Sequence, residues 1–345
     1  MNILLTCVGR RSYMVDYFKR AIGGNGLVVA TNSVLNTTGM QQADIAYVVE
    51  ESNSNRYIDK VMEICRRHDI AAIISLFDID LPFLASARPL FEEAGVKVWV
   101  SDPAVIETAN DKWKTFLFLA KHGLNTPASY IDFDQLKKAI DLCEISFPII
   151  VKPRYGMGSL SVFLADDFSE LVFFSDYVTK QIQKSYLSIL SKSNEPAILF
   201  QEYIEGTEYG VDVLNTYSCS PISVVAKKKH EMRSGETDSA ITIRDDSVEK
   251  MGWMIGGLLR HRGNLDIDLI EHAHGNGIYV LELNARFGGG YPFSHLAGAD
   301  FPAAIVQMSN NESPSDSTLY ALPGVEGYKY IDPRSPVRCS NCRLP

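Results

Sequence analysis

Hydrophobic residues fall into two different rhythms along this chain. In the first hundred residues, short apolar runs occur at 3–8, 27–31, 45–49, 71–76 and 96–100, each rich in Val and Ile and bounded by turn or polar residues. Runs of this kind suit strands buried on both faces of a parallel sheet. Between them, 12–22, 57–68 and 82–94 carry apolar residues at helical spacing. Strand–helix alternation predicts an α/β, doubly wound parallel sheet. Ser101-Asp102-Pro103 then reads as a helix start with Pro near the first turn, and Asp111-Lys112 lies in a helix running to His122, with Gly123 as its C′ residue. Beyond that the rhythm is mixed. Strands are expected at 147–152, 161–164, 197–202, 210–215, 222–226, 265–270 and 277–283, and helices at about 168–188 and 248–260. This second region is α+β, so a domain boundary is placed near residue 105. The polar stretch 310–317 reads as a surface loop and 332–345 as a flexible tail.

Composition narrows the function. The 345 residues are 46% apolar and 22% charged, enough for more than one core and with no sign of disorder. The formal net charge of -9 repels the phosphates of nucleic acid and of anionic membranes, so neither is expected as a partner. A nucleotide is still compatible, because a few local Lys and Arg residues with a divalent cation neutralise a triphosphate. No run of about 18 apolar residues is present. The first residues show no basic region or cleavage site of a signal peptide, so a cytoplasmic location is expected. Six cysteines are scattered, and only Cys339 and Cys342 are close. A single C-x-x-C without a second pair or nearby histidine is a weak zinc signal, and reduced thiols in a frayed tail are the simpler reading.

The first turn, Thr6-Cys7-Val8-Gly9-Arg10-Arg11, has one glycine where a dinucleotide fingerprint has three, and no acid ends the second strand. NAD binding is therefore not expected. Arg10 and Arg11 fit either an anionic substrate or a solvated helix start, with equal weight.

Four later segments carry chemistry. In Phe147-Pro148-Ile149-Ile150-Val151-Lys152-Pro153-Arg154-Tyr155-Gly156-Met157-Gly158-Ser159, a buried strand delivers Lys152 and breaks into a glycine loop. Backbone N–H groups of such a loop fold over phosphate oxygens while lysine supplies a point charge; a solvent lysine and a flexible turn are the alternative. In the stretch 199–212, Glu202 and Glu208 flank Gly206. Main chain at Tyr203-Ile204 fits an adenine edge and a carboxylate fits ribose, although an ordinary hairpin with surface acids explains the segment as well. Strands around His274-Gly275-Asn276-Gly277 place Glu282 and Asn284 on one face, and Asp266 and Asp268 on one face of the partner strand. Clustered carboxylates beside an amide oxygen suit a hard cation shared with phosphates, and Arg286 follows on the same side. Finally, Gly288-Gly289-Gly290 permits close backbone approach to a ligand.

In their order these segments closely resemble the ATP-grasp superfamily, in particular its carbamoyl-phosphate-synthase-like carboxylate–amine ligases. The resemblance covers about residues 1 to 305, through ILLTCVGRR, LFDID at 76–80, NDK at 110–112, GLNTP at 123–127, FPIIVKPRYGMGS at 147–159, QEYIEGTEYGVDV at 201–213 and LELNARFGGG at 281–290. It implies an N-terminal Rossmann-like parallel sheet (the pre-ATP-grasp domain, 1–105), then a two-subdomain ATP-grasp fold at 106–331. Within that fold it places the nucleotide subdomain at about 125–203 and the metal and substrate subdomain at about 204–331.

The resemblance further implies that Lys112 and Lys152 contact ATP phosphates beneath the loop holding Gly156, Gly158 and Ser159. Glu202, Tyr203 and Ile204 would take adenine and Glu208 the ribose. Asp268, Glu282 and Asn284 would hold magnesium, or manganese in its place, with Arg286 and Lys152 as catalytic groups. The family has a glutamate or glutamine where Asp268 stands, which leaves Asp266 as a substitute. The stretch 227–244, with Arg233, Gly235, Glu236 and Thr237, falls where related enzymes contact the acceptor, and a mobile basic loop explains it equally well; Gly289 joins this substrate set.

The function implied is an ATP- and magnesium-dependent ligase joining a small-molecule carboxylate to an amine, with a homodimer as the assembly common among such ligases. A carbamoyl-phosphate-synthase-like subunit working with a partner, and a nucleotide-binding protein without turnover, are the alternatives.

Overall fold

The computed structural model describes residues 1–191 and 195–332, together with the backbone of Cys342–Arg343. Five parallel strands open the chain: β1 (Asn2–Thr6), β2 (Val28–Asn32), β3 (Ile45–Val48), β4 (Ile70–Ser75) and β5 (Lys97–Val98). They alternate with α1 (Ser12–Ile22), α2 (Thr38–Gln42), α3 (Tyr57–Arg67) and α4 (Leu81–Glu93), so the doubly wound expectation holds to within a residue or two. The spatial order is β3-β2-β1-β4-β5. The order reverses between β1 and β4, and in such sheets a crevice opens at that point beyond the carboxyl ends of the strands. The loops that follow these two strands carry Arg10, Arg11 and Asp78.

The expected helix around Asp111 is two helices, α5 (Pro103–Asn110) and α6 (Lys112–Lys121). Asp111 is extended (φ -104°, ψ 104°) and its carboxylate accepts from the N–H groups of Trp113 and Lys114, capping α6. A four-stranded antiparallel sheet follows, in the order β6 (Ser129–Tyr130), β9 (Ile198–Glu202), β7 (Ile149–Pro153), β8 (Phe163–Ala165). α7 (Phe133–Asp141) and α8 (Phe168–Lys184) accompany it, and a short 3-10 turn at Tyr186–Ile189 replaces the last turn expected of the 168–188 helix.

The second half is a six-stranded antiparallel sheet. Its strands are β10 (Gly206–Asn215), β11 (Pro221–Arg233), β12 (Glu236–Ile243), β13 (Gly263–His272), β14 (Ile278–Asn284) and β15 (Glu326–Tyr328). Their order is β14-β13-β10-β11-β12-β15. α9 (Asp246–Leu259), α10 (Tyr291–Leu296), α11 (Phe301–Ser309) and α12 (Asp316–Leu319) complete it.

The mobile-loop reading of 227–244 is corrected: these residues are the far half of β11 and the whole of β12, joined in antiparallel register from Ala226↔Ile243 to Arg233↔Glu236. Most of the expected tail lies outside the described residues, Cys339 included; Cys342–Arg343 pair in parallel with Ala46 and Tyr47. Among the described residues no helix is long and apolar enough to cross a membrane.

The core does not break at residue 105. One apolar cluster joins Leu4, Val29 and Ile73 of the parallel sheet to Val211, Ile267 and Leu283 of the large antiparallel sheet. A second joins Met14 and Phe18 of α1 to Phe287, Tyr291 and Phe301. The small sheet keeps a core of its own around Val151, Leu171 and Phe200. Trp99 ties the first region to the second: it is 4% exposed, meets Tyr217 edge-on at 5.2 Å and donates from Nε1 to Ser309 Oγ at 2.8 Å. Trp99→Ala is therefore expected to cost about 3–5 kcal/mol, read by urea unfolding. A loss below about 1 kcal/mol would show that the two regions do not share stability through this contact.

Candidate active site

The centre of the site is the paired end of β13 and β14. Asp268 sits directly opposite Glu282, and Asp266 opposite Asn284. This is the arrangement that period-two alternation predicts, because antiparallel register puts facing residues on the same side of the sheet. Each oxygen group already has a cationic partner. Lys112 Nζ lies 2.9 Å from Glu282 and Lys229 Nζ 2.6 Å from Asp268. Arg286 Nη2 donates to Asn284 Oδ1 at 3.1 Å.

Arg286 is nearly buried and held by several acceptors. Its Nε donates to Asp78 Oδ2 at 3.0 Å, and its Nη1 to Asp266 Oδ2 and to the Phe287 carbonyl, both at 3.3 Å. Burial works against its charge, but Asp78 and Asp266 hold its pKa above the ordinary arginine value. Burial pushes the Asp266 carboxyl up, and the neighbouring Asp268 adds to the effect, while Arg286 opposes it. Beneath this layer Lys227 pairs with Asp212; Lys227 also donates to Ser294 Oγ, and that hydroxyl donates to Asp212.

The second wall comes from the small sheet and α6. Lys152 is buried on β7 and donates to Gln201 Oε1 at 2.6 Å. Burial pushes its ammonium down to about 8; Lys112 lowers it further, while Glu282 and Asp268 oppose the shift. Asp111 fixes Lys112 against this wall. Besides capping α6, its carboxylate takes two bonds from Arg154, at 2.8 and 2.7 Å, and Lys112 N–H bonds the Arg154 carbonyl at 3.1 Å. One buried carboxylate thus sets the helix start, the strand end and the spacing between two lysines.

The two walls and the crevice above β1 and β4 enclose one cavity of about 890 Å³. Of the expected residues, Lys112, Lys152, Gly156, Gly158, Ser159, Glu208, Asp268, Glu282, Asn284, Arg286, Gly235, Glu236 and Gly289 line it. Glu202, Tyr203, Ile204 and Arg233 are not among its lining residues. Gln201 on β9 turns toward Lys152, so the next side chain, Glu202, turns away and accepts the Ala128 N–H at 3.0 Å. Arg233 pairs with Asp238 across the hairpin.

Sequence reasoning missed Asp78, Asp111, Gln201 and Lys229 as site residues. Asp78 and Asp111 had a signal, an acid just after a strand end and an acid before a helical lysine. Lys227-Lys228-Lys229 carried one too, since alternation puts the outer two on one face. Gln201 had none.

The donor set fits a hard divalent cation: two carboxylates and an amide oxygen face the cavity beside the residues that would meet phosphates. Among the described residues no three His, Cys, Asp or Glu side chains gather as a metal-binding group. Asn284 and ligand oxygens would therefore have to complete the set.

Residues 109–290, more than half of the chain, match the sequence profile of the ATP-grasp domain, and residues 3–99 match the PylC-like, N-terminal domain. The carbamoyl phosphate synthase large chain of Saccharolobus islandicus is 26% identical over 216 residues, covering 60% of this chain and 19% of that one. The same protein from Mesorhizobium japonicum is 24% identical over 306 residues, covering 81% of this chain and 25% of that one. The chain thus spans about a fifth to a quarter of these relatives.

Among solved structures, L-amino acid ligase from Bacillus licheniformis superposes with a TM-score of 0.73 at 20% identity, covering 97% of this chain and 81% of that one. The biotin carboxylase domain dimer of Hydrogenobacter thermophilus 2-oxoglutarate carboxylase, in complex with MgADP, ADP and bicarbonate, gives 0.70 at 18%, covering 90% and 70%. These likenesses establish the fold.

Gly288 follows Arg286 closely, and a Cβ built there would lie 2.1 Å from Asp266 Cγ and 2.3 Å from both carboxylate oxygens. Gly288→Ala must displace Asp266 and so loosen Arg286. It is expected to cost about 1–3 kcal/mol in urea unfolding, and an unchanged midpoint would mean that the carboxylate is not fixed there.

Proposed function

The chain belongs to the ATP-grasp family, and from that premise we propose that it is an ATP-dependent ligase activating a small-molecule carboxylate for attack by an amine. The observation that carries the reading is the single cavity walled by Lys112 and Lys152 on one side and by Asp268, Glu282, Asn284 and Arg286 on the other. Charge of both signs faces one space of nucleotide size, which is what positioning and neutralising a triphosphate requires.

In this reading Lys152, oriented by Gln201, meets phosphate oxygens, and the Gly156–Gly158–Ser159 backbone covers them. Asp268, Glu282 and Asn284 would hold magnesium or manganese, which when bound supplies positive charge to the phosphate oxygens. Lys112 and Lys229, now paired with Glu282 and Asp268, are the charges such an ion relieves for the substrate. Arg286, held by Asp78, Asp266 and Asn284, offers its guanidinium to the phosphoryl group in transfer. A carboxylate oxygen attacks the γ-phosphorus, the bond to the β–γ bridging oxygen breaks, and ADP leaves. The amine then attacks the acyl carbon, phosphate departs and the nitrogen loses a proton. Positioning and charge stabilisation carry both steps, with no covalent enzyme intermediate.

The carbamoyl phosphate synthase relatives favour a second reading, a subunit that works with a partner chain, and co-purification of that chain would select it. A homodimer in the cytoplasm completes the first reading; the dimeric biotin carboxylase domain supports the assembly.

An ADP-release screen of amino acids and other small carboxylates against a panel of amines, with magnesium, tests the proposal. Glu282→Gln is expected to abolish release while leaving the unfolding free energy within about 1 kcal/mol of the parent; Asn284→Ala is expected to abolish release too, at a cost in stability of about 1–3 kcal/mol because it also removes a partner of Arg286. Undiminished release in either variant sinks the metal assignment. The depressed Lys152 pKa gives a second check. Phosphate contact needs the protonated amine, so ATP affinity should decline as pH rises through about 8, by at most ~10-fold per unit. Lys152→Arg, charged throughout, should remove that decline. An affinity for ATP that is flat from pH 7 to 9.5 in the parent would show that Lys152 does not hold the phosphates.

A further inference from the structure

Large apolar side chains crowd one edge of the six-stranded sheet. β15 is the last strand in the order of that sheet, and its outer side has no neighbour among the described residues. Leu296, Tyr320, Leu322, Tyr328, Tyr330 and Ile331 surround it, each between 61% and 84% exposed. The backbone gathers them: Leu322 N–H bonds the Ala297 carbonyl at 2.8 Å, just beyond α10, and a Cβ on Gly327 would lie 3.0 Å from Leu296 Cδ2. Gly327 thus faces α10, and alternation turns Tyr328 to the opposite face. Apolar groups therefore flank the free edge on both sides, as they do around a strand with neighbours on either hand. Fully exposed aromatic side chains offer about 150–250 Å² each, so these six residues present roughly 800 Å² to solvent. The largest apolar patch of a typical monomer is about 300–600 Å². One partner of a standard stable interface contributes about 800 Å².

The main chain of this edge suits a second copy of itself. Lys329 N–H bonds the Asp238 carbonyl at 2.8 Å, and Thr242 N–H bonds the Val325 carbonyl at 3.0 Å. Residues 325, 327 and 329 therefore turn their amides to β12, and the N–H and C=O groups of Glu326 and Tyr328 point outward. A two-fold axis at Gly327 would set Glu326 of each copy opposite Tyr328 of the other, and each such pair would exchange both backbone bonds. No like charges meet in that register, whereas an axis at Glu326 would bring two glutamates face to face. Residues 333–341, next along the chain, include two prolines and two arginines, with only Val337 and Cys339 apolar, so they lack the side chains to cover the patch.

We propose that the β15 edge is the two-fold interface of a homodimer, in which a second copy of this chain continues the six-stranded sheet. The assignment goes beyond the ligase reading and does not rest on it, because its test reads mass and not catalysis. It does touch the cavity: Lys329, inside the patch, pairs at 3.3 Å with Glu236 of the cavity wall.

Sedimentation velocity of the full chain at ~50 µM, above the micromolar Kd of a weak interface of this size, tests the assignment. The wild type is expected at twice the 38.4 kDa of the chain. Tyr330→Asp and Leu322→Asp place a charge in the patch, and each should raise the dimer Kd at least ~10-fold. Tyr328→Pro removes an outward N–H and no bond to β12, so it should dissociate the dimer as well. Phe173→Asp, at an exposed position on α8 of the small sheet, should leave the dimer intact. Circular dichroism reports the fold of each variant, and if one unfolds the remaining edge variants decide. A monomeric wild type, a dimer that persists in the folded edge variants, or a dimer dissociated by Phe173→Asp would each overturn the interface. An intact dimer that releases no ADP would instead count against the ligase reading alone.

Discussion

The buried Arg286 guanidinium is the constraint on which the rest of the molecule depends. Taking a cation out of water costs several kcal/mol unless its partners are close and complete. Here the partners come from three places: Asp78 from the loop after β4, Asp266 from β13, and Asn284 at the end of β14. The charge is compensated only when the N-terminal parallel sheet and the large antiparallel sheet are in register with each other. Removing one partner of such a group typically costs ~3–5 kcal/mol, a large part of the stability of any domain. The shared apolar core does the bulk of the joining, and Arg286 makes the joint specific in position.

The same logic governs the open face of the site. Glu282 and Asp268 would repel each other across one register pair, but Lys112 and Lys229 neutralise them from opposite sides. Those lysines are themselves placed by distant elements. Lys112 stands at the head of α6 because Asp111 caps that helix, and Lys229 on β11 reaches across β10 to β13. The two lysines thus hold the facing acids in place on one register pair. In the proposed function a cation would exchange partners inside this frame, which limits the reorganisation a ligand must drive.

How much of this was legible in the sequence follows from where each residue finds its neighbours. The parallel strands are buried on both faces, so their Val and Ile runs are local and unambiguous, and they were placed to within a residue or two. Glu282, Asn284, Asp266 and Asp268 were legible because a tight turn joins their strands and period two fixes the faces. The β11–β12 hairpin was misread because its far half, Lys227 to Arg233, turns polar residues to the cavity on one side and to solvent on the other, leaving no apolar alternation to detect. Lys229 was lost with it. Asp111 carried an N-cap signal, an acid ahead of a helical lysine, but was read inside the helix because the break on either side of it has neither Gly nor Pro. Gln201 against Glu202 turns on a single residue of register, which sequence resolves only when one face of the strand is clearly apolar.

The two ends of the cavity differ in the same way, and the difference explains why one end announces its chemistry and the other does not. The end proposed for the nucleotide is made of consecutive residues: a strand ending in Lys152 and its glycine loop, and a strand ending in Glu282, Asn284 and Arg286. Phosphate and metal chemistry asks for charges at strand ends, and a contiguous segment records that requirement. The other end of the cavity is lined by the β1–α1 turn, the ends of β2 and β3, the β11–β12 turn and Gly289. Each contributes one or two side chains, and none of these segments carries the site alone. Substrate identity in this architecture is therefore a property of how loops from separate elements converge, and it varies without disturbing either the sheets or the phosphate-binding frame.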